Sequence, residues 1–288
     1  MKTGFVFPQT EIGSDPILIR DYVQAAEGMG YEYLLIYDHI LGANPDRPGG
    51  WRGPYTHENT FHEPFVLFGY LAGLTQKLEF VTGILILPQR STALVAKQAA
   101  EVDVLSGGRL RLGIGIGWNK VEYVAQGMNF HDRGKRSAEQ VELLHQLWTK
   151  RLVTYEGEHH RVEDAGLNPM PVQQPIPIWF GGQADPVLER MARLGQGWMP
   201  NTMPFERAKP VIEKLHGYLE SAGRKPEDFG MDIRVNVSTQ SPDDWTPYIE
   251  GWRDLGATHV AVNTMGAGFS DPQEHLKMLQ QFKDHVDG

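Results

Sequence analysis

Short apolar runs alternate with longer segments of helical periodicity along the chain. The first run, Gly4 to Phe7, precedes a helical segment with Asp15 at its N-cap and Gly30 at its end. The second, YLLIYDHI from Tyr33, is almost continuously apolar, as parallel strands buried on both faces are. The further strand candidates are 78–87, 109–117, 176–182, 197–201, 231–238 and 258–264. The further helical candidates are 62–76, 91–105, 133–150, 185–194, 204–222, 242–255 and 271–286.

Strict alternation of strands and helices favours a parallel sheet with right-handed crossovers, and eight such units close a barrel. We therefore predict an α/β protein, a (β/α)8 TIM barrel that spans residues 1–288 as one domain, with its active site at the C-terminal mouth. A doubly wound open sheet is the rival fold that the residue pattern leaves open.

Two segments interrupt the alternation. Residues 42–60, rich in Gly, Pro and aromatic residues, form an extended loop after strand 2, where a loop would overhang the mouth as a lid. Residues 152–163 predict a hairpin insertion before strand 5, centred on Glu156-Gly157.

Composition and charge narrow the class of partner. The net charge is -9 without a basic stripe, so nucleic acid is not expected as a partner. The chain has no cysteine, which excludes disulfides and thiolate chemistry. No apolar stretch is long enough for a membrane span, and the four-residue apolar run near Met1 is too short for a signal-peptide core, so a soluble, cytoplasmic protein is expected.

Asp38 and His39 follow directly after an apolar strand and would project at the catalytic face of a barrel. A histidine there can exchange a proton near neutral pH, and the adjacent carboxylate can orient it. The structural alternative is that Asp38 caps the loop and His39 is an ordinary loop residue.

Two glycine-rich segments also end strands. Residues 113–117 fail the G-x-G-x-x-G fingerprint because Trp118 and Lys120 stand where the last glycine would be. These glycines either make room for neighbouring side chains or form a floor that a flat ring can approach. The turn from Gly181 to Asp185 either needs glycine for its dihedral angles or forms a phosphate cradle at a helix N-terminus.

Metal and serine-hydrolase chemistry lack a motif. His57 and His62 are five residues apart, so H-E-x-x-H is not formed, and no metal site is predicted. Ser91 and Ser106 lack the G-x-S-x-G context.

Five segments in combination resemble the luciferase-like monooxygenase superfamily, and most closely its short branch of F420-dependent oxidoreductases. They are VTGILILPQR from Val81, the stretch from Leu94 to Asn119, YDH from Tyr37, PIPIWFGG from Pro175 and ARLGQGWMP from Ala192. The resemblance spans about residues 3–270 and implies a barrel that binds F420 or FMN at its mouth.

The resemblance also implies site residues. His39, with Asp38, would be the catalytic pair beside the cofactor ring, and Gly83-Ile84 would carry a non-prolyl cis peptide behind it. The implied cofactor-binding positions are Gly83, Ile84, Gly115, Gly117, Trp118, Gly181, Gly182, Gln183, Gly197 and Trp198. Related dehydrogenases carry glutamate where Trp118 stands, which speaks against a sugar-phosphate dehydrogenase.

The resulting hypothesis is hydride transfer between F420 and a small organic substrate, with His39 as acid and base. Trp51, Tyr55, Phe61 and Trp118 suggest an apolar pocket. One alternative is an FMN-dependent monooxygenase that receives reduced flavin from a separate flavin reductase. An alternative of another class is a non-catalytic flavin-binding protein. The family often forms dimers, and the resemblance implies that the apolar stretch Phe65 to Leu74 either forms a homodimer contact or is a barrel helix packed on its own sheet.

Overall fold

The computed structural model describes residues 1–288 as a closed barrel of parallel strands surrounded by helices. The strands are β1 Lys2–Val6, β2 Tyr33–Ile36, β3 Glu79–Thr82, β4 Leu85–Ile86, β5 Leu110–Gly115, β6 Val153–Glu156, β7 Arg161–Ala165, β8 Ile178–Gly181, β9 Gly197–Met199, β10 Gly230–Asn236 and β11 His259–Asn263. The helices are α1 Pro16–Gly28, α2 Pro64–Ala72, α3 Thr92–Ser106, α4 Lys120–Ala125, α5 Arg133–Thr149, α6 Asp185–Leu194, α7 Phe205–Ser221, α8 Pro242–Asp254 and α9 Pro272–Asp287.

Parallel pairing runs around the whole barrel, from β1 through β2, β3, β5, β8, β9, β10 and β11 back to β1. The pairing of β3 with β5, with Phe80 opposite Leu110, continues the ring between its third and fourth strands. The pairing of β1 with β11, with Gly4 opposite Ala261, joins the first strand to the last. The (β/α)8 prediction is therefore confirmed, and the open doubly wound sheet is excluded.

The predicted strand 78–87 is wrong as a continuous element. It divides into β3 and β4, because the chain leaves the ladder at Gly83 and returns at Leu85, which pairs with Ile114. The peptide between Gly83 and Ile84 is cis, as the family resemblance implies. This break makes a bulge at the C-terminal end of the third barrel strand.

Most predicted helices match the structure to within one or two residues at each end. The Asp15 carboxylate accepts a hydrogen bond from the backbone N–H of Ile17, as expected of the N-cap of α1. The C-cap is Met29 rather than the predicted Gly30, which follows it with φ 86°. Helix α2 is shorter than predicted at both ends, because Glu63 caps it before Pro64 and Gly73 is its C-cap after Ala72. Helix α4 was not predicted, since six residues give too little periodicity to recognise.

Both interruptions of the alternation are present. No helix or strand forms between Ile36 and Pro64, where a single bridge pairs Ala43 with Thr56. Strands β6 and β7 pair as an antiparallel hairpin between α5 and β8, as predicted. No helix is both long and apolar enough to cross a membrane.

The lower half of the barrel interior is filled by a polar cluster between aromatic rings. The Arg111 guanidinium lies 4.8 Å from the Tyr33 ring centroid and 4.4 Å from that of Trp179. Its Nη1 donates to Asp232 Oδ2 at 2.9 Å, and the Tyr33 hydroxyl donates to Asp232 Oδ1 at 2.8 Å. These partners close the barrel beneath the mouth.

His259, which packs against Trp179 at this end, makes stability sensitive to acid. Burial, with the positive charges of Arg111 and Lys2, lowers the pKa of His259 to about 2. The unfolded chain takes up this proton near pH 6.5 whereas the folded protein does not, so this group lowers stability progressively as pH falls below about 6.5. We expect His259→Gln to flatten the decline of unfolding free energy between pH 6.5 and 4.5.

Urea titrations at each pH measure this effect. Because the ring is only half-buried, solvent screening should keep it below the ~1.4 kcal/mol per pH unit of a fully shielded group. The exposed His131→Gln is the control and should leave the pH slope unchanged. Equal slopes for wild type and His259→Gln would contradict the prediction.

Candidate active site

A cleft with two lobes lies at the C-terminal end of the barrel, with cavity volumes of about 320 Å³ and 310 Å³. The residues common to both lobes are Gly83, Ile84, Gly117, Trp118, Asn201 and Arg234. The first lobe extends to Tyr37, His39 and Tyr55, and the second to the turn after β8. The shared floor makes the two lobes one elongated site, large enough for a ring with a tail.

Ile84, on the bulge, lies in the middle of this floor. A Cβ atom added to Gly115 would lie 2.5 Å from Ile84 Cδ1, and one added to Gly181 would lie 3.0 Å from Ile84 Cγ2. These two glycines therefore make room for Ile84, which supports the structural interpretation of the glycine run. Gly115 and Gly117 still border the second lobe, so they also bring the backbone close to a ligand.

His39 follows β2 and presents its ring to the first lobe. The ring centroid lies 4.8 Å from that of Phe61, 5.1 Å from Tyr55 and 5.7 Å from Trp118. The ring Nδ1 is 3.1 Å from Glu122 Oε1, whereas Nε2 has no partner within the protein. An imidazole held in this way at Nδ1 offers Nε2 to a ligand.

Glu122, at the start of α4, is the carboxylate that orients His39. It is fully buried, and its Oε1 also accepts from the backbone N–H of Ile40 at 3.0 Å. As an acceptor, this carboxylate favours the tautomer in which His39 carries its proton on Nδ1. Sequence reasoning missed Glu122 because α4 was not recognised. Asn119, whose side chain caps α4, was the available signal.

Asp38 has a different role from the predicted one, because it does not hold His39. Its Oδ1 accepts from Arg90 Nη2 at 2.8 Å, and its Oδ2 accepts from the backbone N–H of Ile86 at 2.9 Å. Burial raises the pKa of the Asp38 carboxyl, and the positive charge of Arg90 opposes that shift. Arg90 also donates to Glu63 Oε1 at 2.7 Å. Asp38 thus anchors the chain just beyond the bulge, and its two oxygens are occupied.

The second lobe ends where the predicted phosphate turn meets α6. Gly181, Gly182 and Gln183 line it, as predicted, and Gly182 has φ 98°, a conformation that favours glycine. Ser137 and Arg190, which sequence reasoning missed, line the same end. Burial lowers the pKa of the Arg190 guanidinium, which nonetheless stays charged at neutral pH. A helix N-terminus and an arginine together suit an anion.

Gly197 and Trp198 lie outside the lining of the cleft, contrary to the expectation of direct contact. Trp198 is fully buried, and its indole N–H donates to the carbonyl oxygen of Gly182 at 2.7 Å. A Cβ atom on Gly197 would lie 2.2 Å from the Trp179 ring. Trp198 therefore supports the turn from behind, whereas Gly197 makes room for the Trp179 ring.

Aromatic residues of the long loop cover the first lobe. The Trp51 indole donates to the carbonyl oxygen of Tyr55 at 2.7 Å, and the Trp51 ring lies 5.7 Å from that of Trp118. Tyr55 itself lines the lobe. The predicted loop thus contributes an apolar wall above His39, where it can limit access of water.

His62, considered above as a metal ligand, and the neighbouring Glu63 have other partners. Glu63 caps α2 and pairs with Arg90, and His62 Nε2 lies 3.1 Å from the carbonyl oxygen of Gly13. No group of three or more His, Asp or Glu side chains is arranged to hold a metal ion.

The barrel and its rim cleft define an α/β-barrel protein with a site for an elongated ligand. The family model for luciferase-like monooxygenases matches residues 5–263, so the chain belongs to this family. An uncharacterized protein of Mycobacterium tuberculosis is 31% identical over 291 residues, covering 97% of this chain and 98% of the relative. Members of the family are oxidoreductases and monooxygenases that use F420 or FMN.

Two further relatives differ in cofactor. An F420-dependent glucose-6-phosphate dehydrogenase of Microbacterium testaceum is 23% identical, covering 99% of this chain and 88% of the relative. An FMNH2-dependent dimethylsulfone monooxygenase of Pseudomonas putida is 29% identical over 208 residues, covering 71% of this chain and 54% of the relative.

Solved structures share the fold across almost the whole chain. A monooxygenase from Streptomyces bottropensis has a TM-score of 0.81 at 19% identity, covering 99% of this chain and 98% of the other. The coenzyme F420-dependent tetrahydromethanopterin reductase of Methanopyrus kandleri has a TM-score of 0.76 at 17% identity, with 97% of each chain covered.

The buried pair of Asp38 and Arg90 should be important for stability. Arg90→Met would leave the Asp38 carboxylate buried without its counter-ion, so we expect a loss of about 3–5 kcal/mol in the free energy of unfolding. Chemical denaturation measures the loss. Arg193→Met, which removes an exposed pair with Glu142, should cost at most about 1 kcal/mol. Similar losses for the two variants would contradict this role of Asp38.

Proposed function

We propose that this protein is an F420-dependent oxidoreductase that transfers a hydride between F420 and a small organic substrate at the mouth of the barrel. The observation that carries the proposal is the placement of His39. Its Nε2 is free to meet a ligand in the first lobe, and Glu122 holds Nδ1. A proton donor beside a ring-sized floor is what hydride chemistry at a deazaflavin requires from a protein.

The lining of the cleft fits this cofactor. Gly83, Ile84, Gly117 and Trp118, with Gly115, would hold the ring over the shared floor. The turn from Gly181 to Gln183, with Ser137 and Arg190, would hold the phosphate. When bound, F420 supplies a two-electron hydride donor or acceptor. The substrate would then occupy the first lobe, between the floor and His39.

The residues of the chain contribute proton handling and shielding. His39 would donate or accept a proton at Nε2, and Glu122 would stabilise the imidazolium that forms when Nε2 gains a proton. Tyr55, Phe61 and Trp118 surround the imidazole and would keep bulk water from the reacting atoms.

A second candidate function is FMN-dependent monooxygenation, which the Pseudomonas putida relative favours. In that case a separate flavin reductase would be the partner that supplies reduced flavin. A non-catalytic flavin-binding protein is the third alternative, and the orientation of His39 by a buried carboxylate speaks against it. A homodimer through α2, where Val66 and Tyr70 are exposed, stays a prediction.

Cofactor titration tests the proposal. We expect F420 to bind at least about tenfold more tightly than FMN, as measured by fluorescence or calorimetry. Arg190→Met should weaken the binding of F420 by about tenfold or more, because the phosphate end of F420 would contact Arg190. The affinity for the phosphate-free deazaflavin core should be unchanged. Tight FMN binding without measurable F420 binding would refute the F420 assignment and favour the monooxygenase.

Substitution of His39 tests the mechanism. With reduced F420 and a panel of ketones and enones, we expect His39→Asn to lower kcat by about 10²- to 10⁴-fold, since the proton donor is lost. F420 affinity should change little. Glu122→Gln should lower kcat less and shift its pH profile. His57→Asn, in the same loop but outside the cleft lining, is the matched control. Unchanged turnover in His39→Asn would remove the acid–base role.

A further inference from the structure

Arg234 is a buried charge without a counter-ion. Side chains of β10 alternate between the outer core and the barrel interior, and Asp232, Arg234 and Asn236 lie on the inner side. Arg234 is only 7% exposed, yet no carboxylate lies within 4.0 Å of its guanidinium. Its Nη2 donates to the carbonyl oxygen of Pro200 at 2.8 Å, and its Nη1 is buried with no partner.

The neighbouring acid cannot neutralise Arg234. Asp232 is the carboxylate of the same strand, but it lies more than 4.0 Å from the Arg234 guanidinium and forms its ion pair with Arg111. Arginine is rarely buried unless it is paired, because the cost of desolvating the charge is otherwise uncompensated. A partner supplied by a ligand is the arrangement that would compensate this cost.

Arg234 borders both lobes of the cleft, so a ligand can reach it. Tyr37 lines the first lobe beside it and offers a second donor. The Tyr37 hydroxyl accepts weakly from Asn263 Nδ2 at 3.4 Å and donates to no acceptor within the protein. Asn201 and Thr202 are further polar residues that line the first lobe.

We propose that Arg234, with Tyr37, forms a binding subsite for a planar, delocalised anion at the floor of the cleft. A carboxylate or enolate of the substrate has this chemistry, and so does the ionised pyrimidine edge of a reduced deazaflavin or flavin. The inference rests on the proposed function only in that the cleft holds such a cofactor. The subsite would give the cleft a preference for anionic ligands, which the position of His39 does not provide.

Two affinity ratios separate the two sources of the anion. The first is the ratio of the dissociation constants for oxidised and reduced cofactor, using F420 or FMN, whichever the wild type binds. The second is the preference of the protein loaded with oxidised cofactor for benzoate over benzamide, a neutral isostere. If the wild type binds neither cofactor, the proposed function fails, and the second ratio is still measurable on the protein alone.

We expect Arg234→Gln to reduce one of these ratios by about tenfold or more, because a charge-assisted hydrogen bond is lost. A change in the first ratio assigns the anion to the cofactor ring, and a change in the second assigns it to the substrate. Arg234→Lys should retain part of the preference. Arg193→Gln, an exposed arginine of α6, is the control and should change neither ratio.

Thermal unfolding of the unliganded variants separates binding from folding. Removing an unpaired buried charge should leave the melting temperature of Arg234→Gln unchanged or raised. If this variant does not fold, Tyr37→Phe carries the test, since it deletes only the second donor and should reduce the same ratio severalfold. If Arg234→Gln folds and both ratios are unchanged, the proposal is overturned. If only Tyr37→Phe folds, unchanged values of both ratios in that variant overturn it.

Discussion

Closure of the parallel sheet is the constraint on which the rest of the structure depends. Once β3 pairs with β5 and β1 with β11, the C-terminal ends of all the barrel strands lie on one rim. Loops from distant parts of the chain then meet there, and the lower interior must be filled by side chains. The cluster around Arg111 and Asp232 fills it, so the barrel is closed beneath the cleft.

Two consecutive residues at this rim serve separate purposes. Asp38 turns inward and holds the backbone beyond the Gly83-Ile84 bulge through Ile86, while His39 faces the first lobe and is held by Glu122. Each residue thus has a partner far along the chain, and neither depends on the other for its orientation. The bulge and the histidine are consequently fixed in place by independent contacts, as a preorganised site requires.

The two arginines inside the barrel differ in their partners. This difference separates an arginine with a structural role from one that is available to bind a ligand. Arg111 has Asp232 as its counter-ion and lies between two aromatic rings. Arg234 has a single backbone carbonyl as its partner and no acid within 4.0 Å. Arg111 helps to close the barrel beneath the cleft. Arg234 lines the cleft without a counter-ion, and this is the observation on which the proposed anion subsite rests.

Local patterns in the sequence determined the alternation of strands and helices, the long loop, the hairpin and the position of His39 after the second strand. These follow from periodicity, caps and turn residues that act over a few positions. The pairing of β1 with β11 in the tertiary structure decided that the sheet closes into a barrel. Only the tertiary structure decided that Glu122 rather than Asp38 orients His39, that Trp198 supports Gly182 from behind, and that Arg190 and Arg234 line the cleft. The contacts of Glu122 and Trp198 join residues 83 and 16 positions apart, and the role of Arg234 depends on the absence of a counter-ion. Strand periodicity carries no information about which distant side chains meet once the sheet closes.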